Sequence, residues 1–195
     1  MQMMAVSSYT ELAYIAWVVL IVIWIAQSFG NKKTAIVTHK GEQVVVFILM
    51  SIGFGLMFNQ RVLPWGLSTS LFYPEAQSAL LGDVFALAGV AFAIWARITL
   101  GKNWSGAAVT IKKDHQLIES GPYAYVRHPI YGGFLTAVIG TAFTIGTVAS
   151  FLSPIFLLAV FTLRMRREEE MLTLQFPNEY PSYITRTKAL IPYLF

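Results

Sequence analysis

The sequence predicts an all-α protein: a polytopic membrane bundle of five transmembrane helices. Spans four and five form a helical hairpin, and a C-terminal helix lies along the interface. Three observations predict it. Of 195 residues, 56% are hydrophobic and only 12% are charged, with mean hydropathy +0.60, against about 25% charged in an ordinary soluble domain. Apolar runs near the roughly 20 residues needed to cross a bilayer recur along the chain. The Lys and Arg residues gather in alternate connections, as the positive-inside rule requires.

Leu12 to Phe29 is the first span, stopped by Gly30-Asn31-Lys32-Lys33. Val44 to Leu63 is the second, with Asn59, Gln60 and Arg61 near its end. Pro64, Gly66 and Pro74 mark the following loop. Ala79 to Ile98 is the third, with Asp83 near its start and Arg97 at its end. A polar segment, 99–128, follows. Ile130 to Leu163 carries no charge and is too long for one span. Turn formers between Gly146 and Pro154 divide it into spans of about 130–147 and 150–165. Leu172, Phe176, Tyr180 and Tyr183 recur about every four residues, and this predicts an amphipathic helix against the bundle. Residues 1–195 read as one membrane domain, without repeats or a cleaved signal peptide.

The first loop carries Lys32, Lys33 and Lys40. The third-to-fourth connection carries Arg97, Lys102, Lys112, Lys113 and Arg127. The tail carries Arg164, Arg166, Arg167, Arg186 and Lys188. These thirteen face one side, against Arg61 alone on the other. The expected topology is N-terminus outside and C-terminus cytoplasmic, in the inner or plasma membrane. The net charge of +4 is a topological signal and not a nucleic-acid footprint. With no cysteine, disulfides and thiolate chemistry are excluded. His39, His115 and His128 have no metal-site spacing, and no metal is expected. Gly53-Phe54-Gly55 lies inside span two and reads as helix packing. Asp83 reads as partnered or interface-facing. Asn103-Trp104-Ser105 is a formal glycosylation sequon on the cytoplasmic side, where it is unused.

Gly121-Pro122-Tyr123-Ala124-Tyr125-Val126-Arg127-His128-Pro129-Ile130-Tyr131 sets polar chemistry at the mouth of an apolar segment. Pro129 suits the first turn of a helix and pushes His128 into extended backbone. A helix start, a fixed cation and several tyrosines suit a small anionic ligand. They also suit a plain juxtamembrane anchor. The hairpin returns both of its ends to one membrane face. Arg127-His128-Pro129 therefore converges with Arg164-Met165-Arg166-Arg167-Glu168-Glu169-Glu170 from about forty residues away. Arg164 and Glu168, like Arg166 and Glu170, are spaced i, i+4 and share a helix face. Because that run continues span five directly, some of its charges point inward at membrane depth, where ionisable groups need partners.

Five pieces in order carry a resemblance over roughly residues 95–192. They are Leu100-Gly101-Lys102-Asn103-Trp104-Ser105; Leu117-Ile118-Glu119-Ser120-Gly121-Pro122-Tyr123; Arg127-His128-Pro129-Ile130-Tyr131-Gly132-Gly133; Arg164-Met165-Arg166-Arg167-Glu168-Glu169-Glu170-Met171-Leu172; and the closing Tyr180, Tyr183 and Ile191-Pro192. In these the chain resembles the isoprenylcysteine carboxyl methyltransferase family in its prokaryotic-type form, and more loosely the membrane phospholipid methyltransferases. The resemblance implies S-adenosylmethionine as methyl donor, held within residues 100–131 and 164–192. It implies Gln116, Leu117, Gly121, Tyr123, Val126, Arg127, His128, Tyr131, Glu168 and Glu169 around the donor. Glu168 and Glu169 take its ribose hydroxyls or ammonium, the Tyr131 face suits its sulfonium, and Arg164, with Glu168, serves the acceptor. The implied partners are the bilayer and a lipid-like or prenylated acceptor, most directly a prenylcysteine carboxylate. Along span four the eukaryotic members carry Trp and then Gln, on the acceptor side, where this chain has Ala137 and Ala142. That departure leaves the acceptor open, with a phospholipid amine or another isoprenoid as alternatives. A non-catalytic membrane protein retaining the fold and a small-molecule-binding regulator also stand as readings. Donor binding that depends on His128 and Glu168, and turnover, separate them. Nearly apolar span midplanes argue against a transporter.

Overall fold

The computed structural model describes residues 2–29, 34–37, 40–104, 110–112 and 116–192, with side chains for 11–29, 41–104 and 116–192. Seven α-helices are ordered α1 (Gln2–Ser28), α2 (Lys40–Phe58), α3 (Trp65–Ser68), α4 (Ala76–Leu100), α5 (Pro129–Ile145), α6 (Val148–Gln175) and α7 (Tyr180–Arg186). Among the described residues, α1, α2, α4 and α6 are long and apolar enough to cross a membrane, and α5 is a shorter apolar helix of 17 residues. In hydrocarbon the backbone must bond to itself, so apolar runs of this length become helices. Their outward faces stay apolar: Ile15, Val18, Val19 and Val22 of α1 are exposed, whereas Ala13, Ala16, Trp17 and Leu20 are buried. The buried set follows the i, i+3, i+4, i+7 stripe of a helix packed on one side.

α4 and α5 form the central pair. Their backbones approach so closely that a Cβ on Gly89 would land on the Ala137 nitrogen and the Gly133 oxygen. One on Gly140 would meet Ala86 and Gly82. Small residues at a seam let membrane helices gain close packing where lipid supplies no hydrophobic drive. Ala137 and Ala142, at 1% and 0% exposure, lie in this seam and the adjoining core. Both face packed helices. Trp17 of α1 donates to Thr141 at 2.9 Å, and Ser153 of α6 donates to the Gly53 carbonyl at 2.8 Å. A Cβ on Gly53 would strike Leu157, but one on Gly55 would meet nothing within 4 Å. Helix packing thus explains Gly53 and not Gly55. Asp83 is buried in α4 toward the Ala13 backbone, and neither of its carboxylate oxygens has a hydrogen-bond partner among the described residues, so the expected partner is not found.

The hairpin forms at Gly146-Thr147. Gly146 takes the left-handed conformation, φ 75°, which only glycine adopts without a Cβ penalty. Thr147 then caps α6 in a capping box with Ser150, at 3.2 and 3.0 Å. The turn is tied to the α3–α4 loop by Leu71 N–H to Gly146 and Val148 N–H to Thr69.

Several boundaries differ from the sequence expectation. α1 starts at Gln2 instead of Leu12. α2 ends at Phe58, five residues before Leu63. There the Gln60 amide donates to the Leu56 and Met57 carbonyls at 2.7 and 3.1 Å, taking up groups that a continuing helix would bond. α6 runs to Gln175, about 42 Å long against a hydrocarbon thickness of about 30 Å, so its charged end projects beyond the membrane. The helix expected to join Leu172, Phe176, Tyr180 and Tyr183 is broken at Phe176, and only the seven-residue α7 follows. A two-stranded antiparallel pair, β1 (Thr34–Val37) with β2 (Thr110–Lys112), joins the first loop to the polar segment, where all-α reasoning expects no strand.

Candidate active site

The site is built where the α5–α6 hairpin returns to one face. Gly121–Ala124 makes one 3-10 turn. The chain then extends through Val126, which bridges Lys188 in parallel. Arg127 N–H donates to the Lys188 carbonyl at 2.8 Å and His128 N–H to the Ala189 carbonyl at 3.0 Å. His128 sits at φ −124°, ψ 56° as the residue before α5, and Pro129 opens the helix. Proline excludes the α conformation from the residue before it, so His128 stays outside the helix.

Six side chains then meet. Tyr131 Oη donates to Glu168 Oε1 at 2.6 Å and accepts from Arg164 Nε at 2.9 Å. Arg164 also donates through an NH2 group to Glu168 Oε1 at 3.2 Å. His128 Nε2 lies 3.0 Å from Glu169 Oε1, and its Nδ1 lies 3.6 Å from Glu168 Oε2. Arg127 Nε donates to the same Glu169 Oε1 at 2.7 Å. The Tyr131 ring stacks with His128 at 5.8 Å and with Phe161 at 4.8 Å between centroids. Arg164 and His128 are buried, while Glu168 and Glu169 keep side-chain exposures of 20% and 25%. The cations thus sit deep and the carboxylates edge toward solvent.

Burial by itself would lower the His128 pKa, but hydrogen bonds and charge from Glu168 and Glu169 outweigh it and raise the value. A carboxylate opposite each ring nitrogen suits the imidazolium, in which both nitrogens donate. Tyr123, Tyr180 and Tyr183 are held neutral: burial raises all three, and nearby carboxylates add to it. Tyr183 Oη donates to the Tyr123 carbonyl at 2.7 Å, fixing α7 under the turn.

The structure therefore brings together Arg127, His128, Tyr131, Arg164, Glu168 and Glu169, as the hairpin argument required. Tyr123 and Val126 are buried beside them in the supporting turn and extended strand. Gln116 and Gly121 are exposed and stand outside the charged cluster. Leu117 lines a cleft of about 500 Å³ with Glu119, Asn178, Glu179, Ser182 and Arg186. The expected Arg166–Glu170 pair is absent among the described residues; Glu170 pairs with Arg167 at 3.1 Å, and Arg166 is exposed. Asn103 is buried, a poor glycan acceptor, and Ser105 of that sequon lies outside the described residues, as do His39 and His115.

Two parts of the arrangement were not anticipated. Arg97, read as a span end, is 1% exposed. It lies 4.5 Å from the Trp104 ring and 6.0 Å from that of Trp24, and it donates to the carbonyls of Gly101 and Gln27. Tryptophans near an apolar run were its only signal. The second is the main chain at 187–189, whose carbonyls serve Arg127 and His128; main-chain acceptors leave no mark in a sequence.

Comparison with known proteins supplies the context. The model of the Isoprenylcysteine carboxyl methyltransferase (ICMT) family matches residues 82–174. Protein-S-isoprenylcysteine O-methyltransferase of Schizosaccharomyces pombe is 34% identical over 50% of this chain and 42% of its own. The nickel-cobalt-cadmium resistance protein NccN of Alcaligenes xylosoxydans xylosoxydans is 33% identical over 49% of this chain and 45% of its own. The chain thus spans less than half the length of these two relatives. The solved structure of the eukaryotic intramembrane Ras methyltransferase ICMT aligns with TM-score 0.50 and 24% identity, covering 82% of this chain and 55% of that one. That likeness extends the shared helical fold beyond the matched segment. Residues 82–174, which hold most of α4, all of α5 and the charged end of α6, are thus similar to the isoprenylcysteine carboxyl methyltransferase family.

Proposed function

We propose that residues 1–195 form one membrane methyltransferase domain. It uses S-adenosylmethionine at the cytoplasmic face and O-methylates the carboxylate of a lipid-like acceptor, most directly an isoprenylcysteine. The observation that carries this reading is the continuous chain Arg127–Glu169–His128–Glu168–Tyr131–Arg164 at the end of two apolar helices. The name of the yeast relative supports the acceptor class. Thirteen cytoplasmic cations against one support the facing.

The residues present fit the donor. It carries cationic groups, and Glu168 and Glu169 offer partly exposed carboxylates toward them. The contacts described at Glu169 use only Oε1, and Oε2 is the oxygen we assign to the ribose hydroxyls or ammonium. His128 and Tyr131 contact the same two carboxylates, and Leu117 and Glu119 of the preceding segment line the cleft. When bound, the donor supplies an electrophilic methyl group on a sulfonium. An acceptor carboxylate is already ionised at neutral pH, so no residue has to remove a proton from it. Arg164 orients that carboxylate, and Tyr131 and Glu168 orient Arg164. Catalysis then rests on alignment in a site of low dielectric, which supplies several kcal/mol in intramolecular systems, up to about 7–11.

Calorimetric titration of S-adenosylmethionine into the detergent-purified protein tests the reading. Micromolar binding, lost in His128→Ala and Glu168→Ala, is expected. A folded wild type that binds no donor overturns it. A second reading is a membrane protein that keeps the fold without turnover; one relative carries a metal-resistance name and not a methyltransferase name. Donor binding with no methyl transfer to any prenylcysteine, phospholipid or isoprenoid acid would select that one.

A further inference from the structure

Arg127 belongs to the donor-binding set that the family resemblance implies, yet its donors point elsewhere. Nε is engaged by Glu169 at 2.7 Å. One NH group reaches the Thr187 carbonyl at 2.5 Å and the Ile184 carbonyl at 3.4 Å, the groups that close α7. Its own backbone N–H bonds Lys188 at 2.8 Å. The side chain is 12% exposed. Around it the tail is sewn down: Thr187 Oγ1 donates to the Tyr183 carbonyl at 2.6 Å, and Arg186 pairs with Glu119 at 2.6 Å. Leu190 passes so near α5 that a Cβ on Gly132 would lie 3.4 Å from its carbonyl. The Glu169 oxygen that Arg127 holds is also the one facing His128 Nε2.

We propose that Arg127 is a positioning residue: it clamps Glu169 to the C-terminal strap 184–189 and so fixes Glu169 against His128, while contacting neither methyl donor nor acceptor. The claim rests on the methyltransferase reading for its kinetic part only. A rigid planar fork is required, because one guanidinium must satisfy a carboxylate and two carbonyls from separate elements at once. A lysine ammonium is a point charge and keeps at most part of this set. The groups facing His128 are Glu168, Glu169 and Arg164 of α6, Tyr131 of α5, and Arg127 itself; Tyr180 of α7 adds a neutral phenol. Removing Arg127 frees Glu169 from the strap, and the His128 imidazolium loses a carboxylate held against Nε2.

The test combines a titration with kinetics on the full chain in micelles. The chain has three histidines, so histidine-labelled protein gives three resolvable NMR titrations, with His128 assigned by His128→Asn. Arg127→Ala is expected to lower the His128 midpoint by about half a pH unit or more, in the same direction as Glu169→Gln. In turnover, Arg127→Ala should cut kcat by about tenfold or more while donor KM stays within about threefold. Arg127→Lys, which keeps the charge, should leave the midpoint nearer wild type yet still lower kcat. It also serves if the alanine variant does not fold. An unchanged or raised His128 midpoint in Arg127→Ala, with Glu169 still in place, overturns the proposal. So does a donor KM raised tenfold with kcat kept, the signature of direct donor contact. If the wild type neither binds nor transfers methyl, the methyltransferase reading fails by itself, and the titration still decides the clamp.

Discussion

Replacing Tyr131 by phenylalanine removes one oxygen from the centre of the charged chain. The ring keeps its stacking on His128 and Phe161, so packing is nearly conserved. What is lost is the bond to Glu168 at 2.6 Å and the bond from Arg164 at 2.9 Å. Hydrogen bonds to charged groups contribute about 1.5–3 kcal/mol each, which gives about 3–6 kcal/mol as an upper bound. Glu168 retains Arg164 and partial solvent contact, whereas Arg164, at 4% side-chain exposure, gains no water in exchange. The expected destabilisation is therefore about 2–4 kcal/mol. For a chain of this size it lowers Tm by roughly 5–15 °C, read by thermal unfolding in detergent micelles. Tyr125→Phe, at a position 59% exposed, should leave Tm unchanged. Tyr131→Phe should also reduce kcat/KM for a prenylcysteine acceptor, because Arg164 loses one of the groups that orient it. A Tyr131→Phe protein melting within about 1 °C of wild type would show that the phenol bridges nothing, and the proposed alignment of Arg164 would fall with it.

Gly89→Leu should force α4 from α5, because the Cβ alone would meet backbone atoms of Ala137 and Gly133. A loss of at least about 1–3 kcal/mol is expected in the same melt, with Gly55→Ala near neutral. Thr147→Val removes the α6 cap and the 2.8 Å bond to Gln60, and should cost about 1–2 kcal/mol. The pH dependence follows from His128, whose folded pKa is raised by Glu168 and Glu169 against the opposing effect of burial. Stability from that group is fully present below the ordinary histidine value, about 6.5, and is lost as pH climbs through the raised folded value. Tm should therefore fall as pH is increased above about 6.5. His128→Asn should flatten that slope, and an unchanged slope in the variant would assign the effect elsewhere.

Much of the fold was legible because membrane helices are dictated by a single strong term. Backbone groups in hydrocarbon bond within their own segment, so Leu12–Phe29, the α2 run and the Ile130–Leu163 run announce helices by length and apolarity alone. Gly146 announced the hairpin turn, and the turn placed Arg127-His128 beside Arg164 and Glu168. The failures were local competitions between nearly equal terms. The Gln60 amide ended α2 early by bonding its last carbonyls. Phe176 broke a helix that periodicity alone would have continued. β1 and β2 paired across residues far apart in the chain, which no local pattern reveals.

The sequence by itself determined that the protein is a helical membrane protein and which two clusters converge. Composition and spacing control those outcomes directly. Only the tertiary structure decided what each converged group touches. It gave Glu170 to Arg167 and not to Arg166, set Ala137 and Ala142 inside a helix seam, and closed Arg127 onto Glu169 and the carbonyls of 184 and 187. The physical reason is range. Apolar burial is set by runs of many residues, whereas hydrogen bonds are settled within about 3 Å by atoms from four separate elements, and their relative placement exists only once the chain has packed.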